Sequence, residues 1–187
     1  MGKISVLIAE DNTLVRETWS FILHTDARFT VVGACDNGRE AVRLTRELRP
    51  DIVLLDINMP VMNGMEAARL ILQSVPGSRI LVASMHARPS YARKMMEIGA
   101  AGYVTKSASR AEMFTALLEV HGGRRYLCGE IHHSLSERKS AGEEGPSGTG
   151  SLSQRELEML DAMKRRNVPG HFPGRSSKPV LPLPVAV

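Results

Sequence analysis

Ile52-Val53-Leu54-Leu55-Asp56-Ile57-Asn58-Met59-Pro60-Val61-Met62-Asn63-Gly64 is the stretch on which the architecture turns. Its first four residues are apolar on both faces of an extended chain, as a central strand of a parallel sheet must be. The run stops at an acidic residue, and Pro60 and Gly64 mark a loop before the next periodic segment. Working outward, similar β-rich runs lie at 4–9, 30–34, 80–83 and 102–104. Amphipathic helical stretches follow each one. The first gathers Val15, Trp19, Ile22 and Leu23 on one face. The second gathers Ala41, Leu44 and Leu48, and the third Met65, Ala68 and Leu72. The fourth runs from Pro89, a good first-turn residue, to Ile98, and the fifth carries Met113, Ala116, Leu117 and Val120. Gly99 and Gly122 are natural helix stops. Five strand–helix units in succession predict an α/β fold: a five-stranded parallel sheet, doubly wound. The pattern is too short for an eight-unit barrel.

Composition bounds what such a chain does. Of 187 residues, 43% are apolar and 24% charged, which suits a soluble globular protein with a core. Two cysteines, Cys35 and Cys128, cannot build a disulfide scaffold or a four-thiolate metal site. The N-terminus reads as neither a signal peptide nor a membrane span, so a reduced, cytoplasmic protein without membrane contact is expected. The net charge of +4 is uneven: residues 1–133 carry +2, residues 134–161 carry −3, and residues 162–187 carry +5. The strand–helix body is therefore not a strongly basic nucleic-acid surface.

The polar residues fall at the carboxyl ends of the expected strands, where open α/β sheets bind ligands. Glu10 and Asp11 follow the first strand, Asp56 ends the third, Ser84 the fourth, and Lys106 follows the fifth. Three carboxylates together repel one another unless a cation joins them. All-oxygen ligands with room for water suit Mg²⁺. The cation, Lys106 and the Ser84 hydroxyl would receive an anion such as a phosphoryl group. Asp56, the central carboxylate, is the natural acceptor in an in-line transfer that makes an aspartyl phosphate. Taken singly, each residue has a plainer reading. Glu10-Asp11-Asn12 could be a turn and helix cap, Lys106 a solvated loop lysine, and Ser84 a satisfied strand-end hydroxyl. Convergence on one sheet edge favours a site.

These motifs resemble those of response-regulator receiver domains of two-component systems, over about residues 3–122. The resemblance rests on Ile8-Ala9-Glu10-Asp11-Asn12, on the stretch from Leu54 to Gly64, on Ser84, and on Gly99-Ala100-Ala101-Gly102-Tyr103-Val104-Thr105-Lys106. It implies a flavodoxin-like sheet of strand order 2-1-3-4-5, and that Asp56 takes phosphate from the phosphohistidine of a sensor histidine kinase. It implies that Glu10, Asp11, Asp56 and the backbone carbonyl of Asn58 hold Mg²⁺, and that Lys106 pairs with a phosphoryl oxygen. Ser84 and Tyr103 would form the switch, although Tyr103 can also be read as packing alone. Asn58 and His86 stand where relatives tune acyl-phosphate hydrolysis. Ser107 departs from the proline that many relatives carry there. The protein would phosphorylate and dephosphorylate itself without being a conventional enzyme.

Beyond the receiver (1–122), residues 123–151 read as a short helix, placed within 126–135, and a Gly/Ser-rich linker. Residues 152–166, with Ser153 and Glu156 as a capping box, resemble the opening helix of a LuxR/NarL helix-turn-helix domain. Residues 167–187 are a Pro-rich tail expected to be disordered, with no recognition helix. The family role in transcription, including DNA binding and homodimerisation on phosphorylation, is thus expected with an incomplete DNA-reading part. The alternative is a stand-alone receiver: a phosphate sink, a relay intermediate or a protein-interaction switch. A small-molecule phosphatase fits less well, because Asn58 stands where such enzymes carry a second acid. Cys128 with His132 and His133 matches no standard metal spacing. Met95, Met96 and Met113 read as packing.

Overall fold

A computed structural model describes residues 2–85, 88–129 and 131. The elements are β1 (Ile4–Ala9), α1 (Thr13–His24), β2 (Phe29–Cys35), α2 (Gly38–Leu48), β3 (Ile52–Asp56), α3 (Gly64–Ser74), β4 (Arg79–Ser84), α4 (Pro89–Ile98), β5 (Gly102–Thr105), α5 (Arg110–His121) and β6 (Tyr126–Leu127). The sheet order is β2-β1-β3-β4-β5-β6, and each neighbouring pair is parallel. The expected order 2-1-3-4-5 is present, extended by one short strand.

Period-two alternation sorts the core into two layers. Val6, Ile8, Ile52, Leu54, Leu81 and Val104 pack with Trp19 and Leu23 of α1 and with Met113, Ala116 and Leu117 of α5. Leu7, Ala9, Val53, Leu55, Ile80 and Val82 pack with Ala41 of α2, Ala67 and Ile71 of α3, and Met95 of α4. Every residue of β3 is buried, as a strand covered on both faces requires.

Helix starts carry the same signature three times. Asn12, Asn37 and Asn63 each accept a hydrogen bond from the backbone N–H three residues on, and Ser109 does so for α5. Pro89 opens α4, as its sequence suggests, and Gly99 closes it at φ +113°. Gly122 caps α5 at an ordinary φ of −72°, and the left-handed residue is its neighbour Gly123 at +80°.

Two expectations change. Tyr126 and Leu127 form a strand where a helix was expected: the Tyr126 N–H donates to Ala101 O and the Cys128 N–H to Tyr103 O. The open edge of β5 supplies these bonds, and two residues are too short to show a period of their own. Only Gly129 and Ile131 of the expected helix are helical among the described residues. The second change is Leu48, which is 40% exposed. It ends α2, whose buried positions are Gly38, Ala41, Val42 and Thr45.

The expected linker, helix-turn-helix remnant and Pro-rich tail lie outside the described residues, apart from 123–129 and 131, and so does His86. Among the described residues, no helix is long and apolar enough to cross a membrane.

Candidate functional site

Parallel pairing of β1 with β3, and of β3 and β5 with β4, brings four strand ends together. Glu10 leaves β1 directly after Ala9, Asp56 ends β3, and Ser84 ends β4. Lys106 follows β5, its N–H donating to Ser84 O at 2.8 Å. Glu10 and Asp56 are each 3% exposed and Ser84 is 2% exposed, whereas Asp11 is open to solvent.

Lys106 binds this edge together. Its Nζ lies 2.6 Å from Glu10 Oε2 and 3.1 Å from Asp56 Oδ2. Asp56 Oδ1 accepts the Ile57 N–H at 2.7 Å, so one oxygen faces a backbone donor and the other the ammonium. Burial raises the pKa of Glu10 above its ordinary value, and the hydrogen bond from Lys106 opposes that rise. Glu10, Asp11 and Asp56 offer oxygens that all lie within 4.8 Å of one another. Three carboxylates against one ammonium leave a formal charge of −2, and the donors are all hard oxygens. Such a set fits a divalent cation that keeps some of its water.

Behind this cluster, Tyr103 is fully buried and its hydroxyl hydrogen-bonds Ser84. Burial pushes its phenol up to about 12, with the Ser84 bond working the other way. Tyr103 packs in one core cluster with Ala92, Met95, Cys128 and Ile131. Asn58 is exposed in the loop after Asp56, between the buried anchors Ile57 and Met59. The expected residues thus gather at one edge, with Tyr103 one layer deeper and Asn58 on the adjoining loop.

One contributor went unnoticed in the sequence. Arg16 of α1 reaches back to donate to the main-chain oxygens of Glu10 at 2.7 Å and Asp11 at 3.3 Å. It stiffens the acidic turn, yet a single arginine in a helix's first turns is no motif. Gly64, which the sequence already marks as a loop residue, has a tighter role than a turn alone. In the structure a Cβ on it would stand 2.0 Å from Asp56 O. The loop after Asp56 therefore returns directly under the acidic residue, where only glycine fits.

A model of the response regulator receiver domain matches residues 6–118. The chain is 36% identical over 156 residues to response regulator GacA of Pseudomonas aeruginosa, spanning 83% of this chain and 73% of that one. It is 34% identical over 157 residues to response regulator UvrY of Escherichia coli, spanning 84% and 72%. A solved LuxR-family two-component response regulator from Aurantimonas superposes with a TM-score of 0.71 at 34% identity, over 74% of this chain and 99% of that chain. The chain belongs to the response regulator receiver family and is a phosphoacceptor response regulator of the NarL/FixJ type, related to GacA and UvrY.

Proposed function

We propose that Asp56 is the phosphoacceptor, taking a phosphoryl group from a phosphohistidine of a sensor histidine kinase. A carboxylate oxygen of Asp56 attacks phosphorus in line, the N–P bond breaks, and an acyl phosphate forms. The observation that carries this reading is the position of the Asp56 carboxylate. It is buried at the end of the central strand, held by Lys106 on one oxygen and the Ile57 N–H on the other.

Glu10, Asp11, Asp56 and the backbone carbonyl of Asn58 are the proposed ligands of Mg²⁺. Bound there, the ion supplies charge neutralisation for the transferring oxygens. Lys106 pairs with a phosphoryl oxygen. Ser84 offers its hydroxyl to another, and Tyr103, hydrogen-bonded to Ser84, reports that movement to the packing around α4 and β5. Water later hydrolyses the acyl phosphate in the same site, so the activity is confined to the protein's own phosphate. Residues 1–122 are the proposed receiver, followed by a linker segment to 151. Residues 152–166 are proposed as the first helix of a LuxR-type domain and 167–187 as its Pro-rich tail. Homodimerisation on phosphorylation and a cytoplasmic location are proposed as well.

The test is Mg²⁺ titration by calorimetry, coupled to acetyl phosphate incorporation with and without a chelator. Wild type is expected to bind one Mg²⁺ and to need it for phosphorylation, and Asp11→Asn to weaken both. Equal incorporation with the chelator would sink the assigned cation site.

A further inference from the structure

The loop 57–63 has the shape it has because two glycines meet it. At its end, the Gly64 N–H donates to Ile57 O at 2.8 Å, closing the loop on itself. At its crest, the N–H of Gly38, the first residue of α2, donates to Met62 O at 3.1 Å. Gly38 is buried, and a Cβ on it would stand 2.4 Å from that same oxygen and 3.1 Å from the Ala67 Cβ. Real Cβ atoms do not approach a carbonyl so closely, so the contact exists only because residue 38 has no side chain.

Next to Met62 lies Val61, at φ +66°. A β-branched residue is a marked outlier in the left-handed region. Such strain persists only where the surroundings over-determine it, and it gathers at functional sites. Here the restraints are visible. The Met62 N–H donates to Pro60 O at 2.7 Å, and Met62 O is held by Gly38. The loop joins Asp56 to α3 and includes Asn58.

We propose that Gly38 is a positioning residue for phosphoryl acceptance: through Met62 it holds the acceptor loop in its strained turn and so sets the loop edge of the cation site. Gly38 is not a catalytic residue, since it contacts the loop and not the reacting carboxylate. The inference rests on the proposed function of Asp56 and extends the site to α2, an element that contributes none of the carboxylates and not the lysine.

The test is a double-mutant cycle of Gly38→Ala and Val61→Gly in the full chain. It is read by calorimetric Mg²⁺ affinity without phosphodonor, by the initial rate of phosphorylation from acetyl phosphate, and by thermal melting. Gly38→Ala is expected to weaken Mg²⁺ binding and slow phosphorylation by roughly tenfold or more, as small misplacements of a reacting constellation do. Val61→Gly, on an exposed crest, is expected to keep both within about twofold. The double variant is expected to recover most of the Mg²⁺ affinity, because glycine takes a φ of +66° without strain and the turn no longer depends on the clamp.

A role in packing α2 on α3 alone gives a different pattern. In that case Ala67→Gly would rescue Gly38→Ala, Val61→Gly would not, and the proposal would be overturned. Unchanged Mg²⁺ affinity in a folded Gly38→Ala variant would overturn it as well. Should that variant fail to fold, the Gly38 amide resonance of wild type decides. A shift and slower hydrogen exchange on adding Mg²⁺ support the proposal, and an unmoved amide overturns it. A wild type that binds no Mg²⁺ and takes no phosphate would remove the underlying assignment of Asp56 first, so the two failures are distinguishable.

Discussion

Lys106 Nζ sits 2.6 Å from Glu10 Oε2, joining residues 96 positions apart at the ends of β5 and β1. Both side chains are almost wholly buried, so little water screens the pair. Breaking a buried pair by deleting one partner leaves an uncompensated charge, which typically costs about 3–5 kcal/mol. Here two carboxylates, Glu10 and Asp56, would lose their shared cation. Lys106→Ala is expected to be destabilised at neutral pH by about that amount, measured by urea unfolding. On the proposed site, Mg²⁺ is expected to restore part of the loss. Unchanged unfolding midpoints in chelator would show that the ammonium does not hold the edge.

Gly64→Ala is expected to be more damaging than its size suggests. The added carbon would meet backbone, Asp56 O at 2.0 Å, rather than a side-chain tip that can move. Overpacking against atoms that cannot yield costs about 1–3 kcal/mol and here is expected at the upper end or above. Gly77 provides the contrast, since a Cβ there meets nothing within 4 Å. Gly77→Ala is expected to be neutral or slightly stabilising. Equal unfolding midpoints for the two variants would contradict the close approach.

Tyr103 makes the alkaline limb of stability informative. Burial lifts its phenol from 10.0 to about 12. The folded protein therefore keeps a proton that the unfolded chain releases. The corresponding stabilisation is complete below pH 10 and is lost as pH rises through about 12. Ultraviolet titration of tyrosinate, with circular dichroism alongside, is expected to show one phenol ionising last, together with unfolding. Tyr103→Phe removes that step. A tyrosine signal from Tyr103 near pH 10 in the folded protein would contradict its burial.

Cys35 is expected to resist alkylation in the native state. Its thiol is buried, donates to Ile8 O at 3.8 Å, and is pushed up to about 11, chiefly by desolvation. The thiolate is the reacting species, so labelling at neutral pH is expected only once unfolding exposes it. Rapid labelling of folded protein would show that the β2 edge opens.

Much of this architecture is legible along the chain, for identifiable reasons. Ile52–Asp56 declares itself because both faces of β3 are covered, and no polar residue interrupts the run before the acid that ends it. Glu10, Asp56, Ser84 and Lys106 declare themselves because a parallel sheet places every strand end on one edge. What stays hidden depends on contacts distant in sequence. The clamp between Gly38 and Met62 has no period and no motif, and a glycine at a helix start ordinarily signals only a turn. Arg16 acts by bending back onto backbone oxygens, which composition does not encode. β6 is two residues long, and the edge of β5 recruits it. Leu48 fits the apolar stripe of α2, yet it lies at the last turn, where the helix emerges to solvent.

The most direct test of the central claim is the location of the phosphoryl group. Intact mass and peptide mapping after incubation with acetyl phosphate and Mg²⁺ should be compared between wild type and Asp56→Asn. The expected result is one phosphoryl group in wild type, mapped to Asp56, and none in the variant, because an amide is not a nucleophile of this kind. Phosphate on another residue, or equal incorporation in Asp56→Asn, would contradict the account.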